Sequence, residues 1–170
     1  MQVHGLSKAE AGEILSMLAV GMIVGSPLLS VLSNRVFRGR RPVLILSSLV
    51  LVAVTALLAF QTEGLSIPTL YGICFCLGLF SSAVVVIGFT TTKELFPVAI
   101  AGTSTGLVNL FPFAGGAVAQ PVLGYVLERH GRVGEAFTVA GYEAAFFLLF
   151  LSGVIALLAS LCLKETLIEE

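Results

Sequence analysis

Ser33-Asn34-Arg35-Val36-Phe37-Arg38-Gly39-Arg40-Arg41 gathers four of the chain's nine basic residues into one short stretch. A long apolar run ends just before it and another begins just after it. One guanidinium near the centre of a bilayer costs about 2.5–3.5 kcal/mol on insertion scales. Four of them cannot lie in hydrocarbon, so the stretch is a turn in water between two membrane helices. The excess of Lys and Arg on cytoplasmic loops assigns this turn to the cytoplasm. Every later crossing alternates from it.

Composition agrees with a bilayer as solvent. Of 170 residues, 57% are hydrophobic and 11% are charged, against about 25% charged in soluble domains. A soluble fold of this length could not hide so much apolar surface. The net charge of −1, with no basic face, gives no sign of a nucleic-acid partner. Cys74, Cys76 and Cys162 all lie inside apolar runs and read as small buried hydrophobes. The Cys74-Phe75-Cys76 spacing is too short for a zinc site and has no His nearby. His4 and His130 are loop residues without a partner in sequence. No metal and no cofactor is expected. No Ser/His/acid set or phosphate loop appears, so the chain does not read as an enzyme.

A crossing helix needs about 20 apolar residues. Five segments qualify: 9–32, 42–60, 67–90, 100–127 and 137–163. Together they predict an all-α polytopic transmembrane bundle, a single domain over 1–170. Residues 1–8 are mixed and polar, and no short apolar core with a cleavage site follows, so a signal peptide is not expected. Ser7 reads as the N-cap of the first helix, with Glu10 completing a capping box. Gly21 and Gly25, four apart, permit close helix contact, and Pro27 is expected to kink the helix. Ser16, Ala19, Ile23, Ser26 and Ser30 form a second, mostly small stripe. Pro42 suits a first helical turn. The second segment is aliphatic on every face and is expected to face lipid. Residues 91–97 read as a loop, with Lys93 and Glu94 solvated.

The fourth segment is the most informative. Gly102, Gly106, Asn109, Phe113, Gly116, Gln120 and Gly124 recur by threes and fours and share one helical stripe. Pro112 and Pro121 interrupt the same helix and read as bends. A side-chain amide in hydrocarbon needs a partner, so the stripe is expected to face protein or a watery cavity. Asn109, Phe113 and Gln120 are the candidates for lining that cavity. The competing reading for the two amides is an ordinary hydrogen bond between helices, worth about 0.6 kcal/mol. Glu143 reads as a proton-coupling carboxylate or as an interfacial residue near a helix end.

Six basic residues (Arg35, Arg38, Arg40, Arg41, Lys93, Lys164) fall on the cytoplasmic side, and three (Lys8, Arg129, Arg132) fall outside. Five crossings then put the N-terminus outside and the C-terminus, with its acidic tail, in the cytoplasm. An odd count with an outside start leads to the expectation that an upstream segment is missing.

Three stretches carry a resemblance. Residues 21–27 running into Ser33-Asn34-Arg35 and Gly39-Arg40-Arg41 form the first. Lys93-Glu94-Leu95-Phe96-Pro97 with Gly102 and Gly106 forms the second. Asn109 through Gly116, Gln120-Pro121 and Gly124 forms the third. In these the chain resembles the C-terminal part of a major facilitator superfamily transporter, about the last five of twelve helices. The resemblance implies a secondary transporter for a small solute working by alternating access, in the inner (plasma) membrane of a bacterium. It also implies that this part lacks its N-terminal half, or a second chain, and is not competent alone. The loop signature of that family is Gly, three residues, Asp, Arg, one residue, Gly and two basics. Here Ser30 stands for the first Gly, Asn34 for the Asp, and Phe37 and Arg38 lengthen the loop. The signature takes part in a conformation-dependent charge network, so Asn34, Arg35, Gly39, Arg40 and Arg41 are the candidate cytoplasmic gate loop. The missing acid implies a latch that is weakened or differently built. On the residues alone the cluster reads equally as a topology anchor touching anionic lipid. Gly21, Gly25, Pro27, Gly102, Gly106, Pro112, Gly116 and Pro121 are the expected packing and hinge positions. A non-transporting membrane protein, an assembly partner or a remnant, is the competing function.

Overall fold

A computed structural model describes residues 5–134 and 136–167. His4 and the acidic tail beyond 167 lie outside the described residues. Among the described residues five helical spans are long and apolar enough to cross a membrane.

Three of the five spans, those of α1, α3 and α6, begin at a side-chain cap. In α1 (Lys8–Val31), Ser7 Oγ accepts the Glu10 N–H at 3.2 Å, and the Glu10 carboxylate accepts the Ser7 N–H at 2.8 Å. These bonds satisfy donors that a helix start leaves orphaned. The helix runs on through Pro27 into a π-helical turn, Leu32–Val36. α2 (Arg41–Phe60) has Pro42 in its first turn. α3 (Ile67–Ala83) is capped by Ser66. A second π-helical turn, Val84–Gly88, joins it to α4 (Phe89–Leu95). The sequence reading ends this span near residue 90; the structure extends it to Leu95. Thr90 and Thr92 donate to the Val86 and Gly88 carbonyls at 2.7 and 2.8 Å, so their hydroxyls are satisfied within the helix. No breaker follows until Pro97.

A 3₁₀ turn, Val98–Ile100, leads into α5 (Ala101–Arg129), and α6 (Val139–Cys162) closes the chain behind a Thr138 cap. Between them β1 (Arg132–Val133) pairs antiparallel with β2 (Ala136–Phe137). The sequence reading held no strand here. Gly131 and Gly134, at φ +80° and +64°, make the turns, and the Arg132 guanidinium lies 4.4 Å from the centre of the Phe137 ring.

α1 packs on α3, α2 on α6, and α2 on α3, while α5 leans chiefly on α6 and α4. Association in lipid depends on close packing more than on hydrophobic transfer. The α1–α3 contact shows how. Gly21 lies against the Phe75 carbonyl, Gly25 against the Leu79 carbonyl, and Gly78 of α3 against the Leu18 carbonyl. The packing face of α1 is therefore Ala11, Ile14, Gly21, Gly25 and Leu29. Of the second stripe, Ser16, Ala19 and Ile23 are exposed, while Ser26 and Ser30 are half-buried.

α2 is a correction. It was expected to face lipid, yet Val43, Ser47, Val54 and Ala59 are buried. Its uniform aliphatic surface suits a neighbour on any side, and Phe60 packs edge-on against Phe147 and Phe150 of α6. Leu29, Val43, Leu79, Ala83 and Ile87 form the largest core, just beneath the arginine-rich turn. Cys74 and Cys76 are half-buried, whereas Cys162 is exposed at the end of α6, unlike the buried residue read from the sequence.

Candidate functional site

The arginine-rich turn is built on the π-helical end of α1. The Phe37 N–H reaches the Leu32 carbonyl at 2.9 Å, and the Gly39 N–H reaches the Ser33 carbonyl at 3.0 Å. Arg38, at φ +45°, takes a left-handed conformation that costs a non-glycine residue about 1 kcal/mol. Phe37 and Arg38, the two residues that lengthen the loop, thus carry the reversal that aims Arg40 inward.

Arg40 is the centre of the site and is buried, 7% exposed. Its Nη1 donates to Ser33 Oγ at 3.0 Å and to Asn34 Oδ1 at 2.5 Å. Its Nη2 donates to Glu94 Oε1 at 2.7 Å, and Nε reaches both Glu94 oxygens at 3.2 and 3.3 Å. Ser33, wholly buried, donates to the Gly39 carbonyl at 2.9 Å. The fork geometry suits a carboxylate, which is why an arginine and not a lysine can serve here.

Glu94, read from the sequence as solvated beside Lys93, is exposed as a residue, but its carboxylate is paired with Arg40. It comes from the end of α4, 54 residues away, and supplies the negative charge that Asn34 does not. With Asn34 as a neutral acceptor, one guanidinium faces one carboxylate and the pair is balanced. Glu94 and the arginine-rich turn lie at the same end of the bundle, but no local spacing in the sequence pairs them.

The C-terminal segment joins the network. Glu165 accepts the Arg40 N–H at 2.7 Å and the Arg41 N–H at 3.1 Å. Thr166 Oγ1 donates to Glu94 Oε2 at 2.7 Å. Nothing in the sequence pattern singled out either residue. Partial burial pushes the Glu165 carboxyl up, but N–H groups of Arg40, Leu167, Arg41 and Thr166 hold it below the usual Glu value. Gly39 lies so close that a Cβ there would sit 2.7 Å from Glu165 Oε2. Arg41 donates from Nη2 to the Leu161 carbonyl at 2.6 Å, a cation at the C-terminal end of α6. Arg35 is exposed.

The second group of candidate residues lies on α5, which has no buried residue along its whole length. Asn109, Phe113 and Gln120 are all exposed, Phe113 by 71%. Among the described residues no hydrogen bond reaches either amide. Gly102, Gly106 and Gly116 have nothing within 4 Å of an added Cβ. Ser104, Val108, Ala119, Leu123 and Val126 are half-buried along a different side of the helix, and of the stripe Gly116 alone is half-buried. Pro112 and Pro121 lie inside α5, which continues through both.

At the far end of the bundle from Arg40 is an apolar cavity of about 420 Å³, lined by Ile14, Leu18, Leu58, Ile73, Leu77 and Phe146 among others. Its lining carries no charged side chain. Glu143 is half-buried in the first turns of α6. Neither place brings together a nucleophile and a base.

A family model described as Major Facilitator Superfamily matches residues 1–168. No curated protein and no solved structure matches the chain.

Proposed function

The chain belongs to the major facilitator superfamily, and we propose that it forms part of a secondary transporter that moves a small solute by alternating access. The observation that carries this reading is the open face of α5. Two amides and a row of glycines stand there unpartnered on a membrane-spanning helix. Leaving one amide unpaired in an apolar medium costs about 2–7 kcal/mol. The face therefore belongs against water and against further helices. We read it as one wall of the solute path, with the opposite wall supplied by helices beyond these five spans. The five spans alone are then not a transporter.

On this reading the arginine-rich end is cytoplasmic and the start of α1 lies outside. The Arg40–Glu94 pair is a latch that is closed in one transport state and parted in another.

Cysteine accessibility tests both parts without knowledge of the solute. Cys74, Cys76 and Cys162 are first replaced by serine. Cysteines placed at Asn109 and Gln120 are expected to react with a membrane-impermeant thiol reagent when the chain is expressed in its native membrane. Cysteines at Leu107 and Val118, off the stripe, are expected to stay unreactive. Failure of the two stripe positions to react would favour the non-transporting alternative, with the face covered by lipid or by a tightly packed partner. A cysteine at Val36, which is 64% exposed, is expected to react only after the cytoplasmic side is opened. Its modification from outside intact cells would reverse the topology.

A further inference from the structure

We infer that the segment after α6 is a strap on the gate, with Glu165 as a positioning residue that holds the arginine-rich turn in its latched form. The inference rests on the reading of this end as a gate. It deepens that reading by assigning the acid that the loop itself lacks.

The start of α2 shows why the strap is needed. Its N-cap position is Arg40, whose side chain makes no capping bond. The first N–H groups of a helix point outward unpaired and favour an anion. Glu165 fills that position with both carboxylate oxygens, 125 residues along the chain from Arg40. Its Oε1 also accepts the N–H groups of Thr166 and Leu167 at 3.0 and 3.1 Å. The carboxylate thus folds its own segment while it caps α2. Thr166 then reaches Glu94 on α4, and Arg41 reaches back to Leu161 on α6. The result is a closed circuit: the turn after α1, the start of α2, the end of α4 and the segment after α6.

The circuit joins elements whose closest packing is α1 with α3 and α2 with α6, and it adds polar ties to the apolar contact of α2 on α3. Glu94 belongs to the span that contains α3, and Glu165 follows α6. Parting Arg40 from Glu94 while Glu165 stays in place would pull on both. Release of Glu165 frees the turn to move with α1. Gly39 is part of the device, because only a residue without Cβ lets the carboxylate come this close.

Hydrogen exchange on the full chain in lipid nanodiscs reads the strap directly. In the Glu165→Ala variant the Arg40 and Arg41 amides are expected to exchange at least 10-fold faster, with Glu165→Asp close to the parent. Lowering the pH should reproduce the effect in the parent. The groups facing Glu165 are Arg40 and Arg41, which stay charged, and Glu94 through Thr166. A carboxylate held below its usual value keeps its bonds at neutral pH and loses them only as pH falls below the ordinary 4.5. After correction for intrinsic exchange rates, that acid-induced loss should be absent in Glu165→Ala.

The same variants are then made with a cysteine at Asn109 in the serine-substituted background, and its reaction from the arginine-rich side is timed. Faster amide exchange together with faster thiol reaction supports the strap. Unchanged exchange at Arg40 and Arg41 overturns it. Faster exchange with unchanged thiol reaction also overturns it, since Glu165 would then cap a helix and gate nothing. A cysteine at Asn109 that fails to react in the parent and in every variant is a distinct result. It removes the gate reading and the strap with it.

Discussion

Replacing Arg40 by alanine is expected to destabilise the chain by about 3 kcal/mol, the low end of what breaking a buried ion pair costs. The low end applies because the Glu94 side chain is 25% exposed while that of Arg40 is 8% exposed, so water takes over part of what Glu94 loses. The loss exceeds that of a surface pair because Ser33 also depends on Arg40. Ser33 is wholly buried, and its hydroxyl accepts from Nη1 while donating to Gly39. Glu94→Ala should cost a similar amount for the opposite reason: it leaves a buried guanidinium with only neutral acceptors. Glu94→Gln, which keeps an acceptor oxygen but no charge, should cost about 1–2 kcal/mol. The decisive measurement is the double variant. Unfolding in mixed micelles should show Arg40→Ala and Glu94→Ala together costing at least 1 kcal/mol less than the sum of the two, as contacting partners do. Additivity within about 0.5 kcal/mol would mean that the two groups act independently. The latch would then have no energetic basis, whatever the distances.

The spans were legible because hydrocarbon tolerates little else: long apolar runs, split by a turn that four guanidinium groups force into water. The capping box at Ser7 and Glu10 and the close approach at Gly21 and Gly25 were legible too, since each is a local spacing with a local cause. Arg40–Glu94 was not. Its partners lie on different spans, and no sequence pattern says which spans are lateral neighbours. The same limit explains α2. A helix that is aliphatic all round can face lipid or α6 equally well, and only the arrangement of the others decides. Glu165 was hidden for a further reason. It follows the last span in a polar stretch that carries no periodicity, and its partners are backbone N–H groups, which every sequence has.

The sharpest contrast concerns glycines that look alike in sequence. Gly21 and Gly25 in α1, and Gly102, Gly106 and Gly116 in α5, all read as packing positions, and the structure separates them. A Cβ at Gly25 would meet the Leu79 carbonyl, Ser82 Oγ at 2.6 Å and Leu79 Cα at 2.8 Å. Two of these atoms are backbone and cannot swing aside, so α1 and α3 must part. Gly25→Ala is therefore expected to cost about 3 kcal/mol, the upper range for overpacking, and Gly21→Ala and Gly78→Ala should behave alike. Gly102→Ala, Gly106→Ala and Gly116→Ala meet nothing within 4 Å. They should change the stability of the isolated chain by less than about 1 kcal/mol, in the stabilising direction that Ala has over Gly in a helix. The larger Gly106→Leu tests what the α5 face is for. A face that only meets lipid accepts a leucine at no cost in either setting. A face that forms one wall of a shared path should leave unfolding of the isolated chain unchanged, yet lower by at least 10-fold the thiol reactivity of a cysteine at Asn109, one turn along the helix, in the native membrane. Equal reactivity with and without that leucine would place the stripe in lipid and take away the observation on which the transport reading stands.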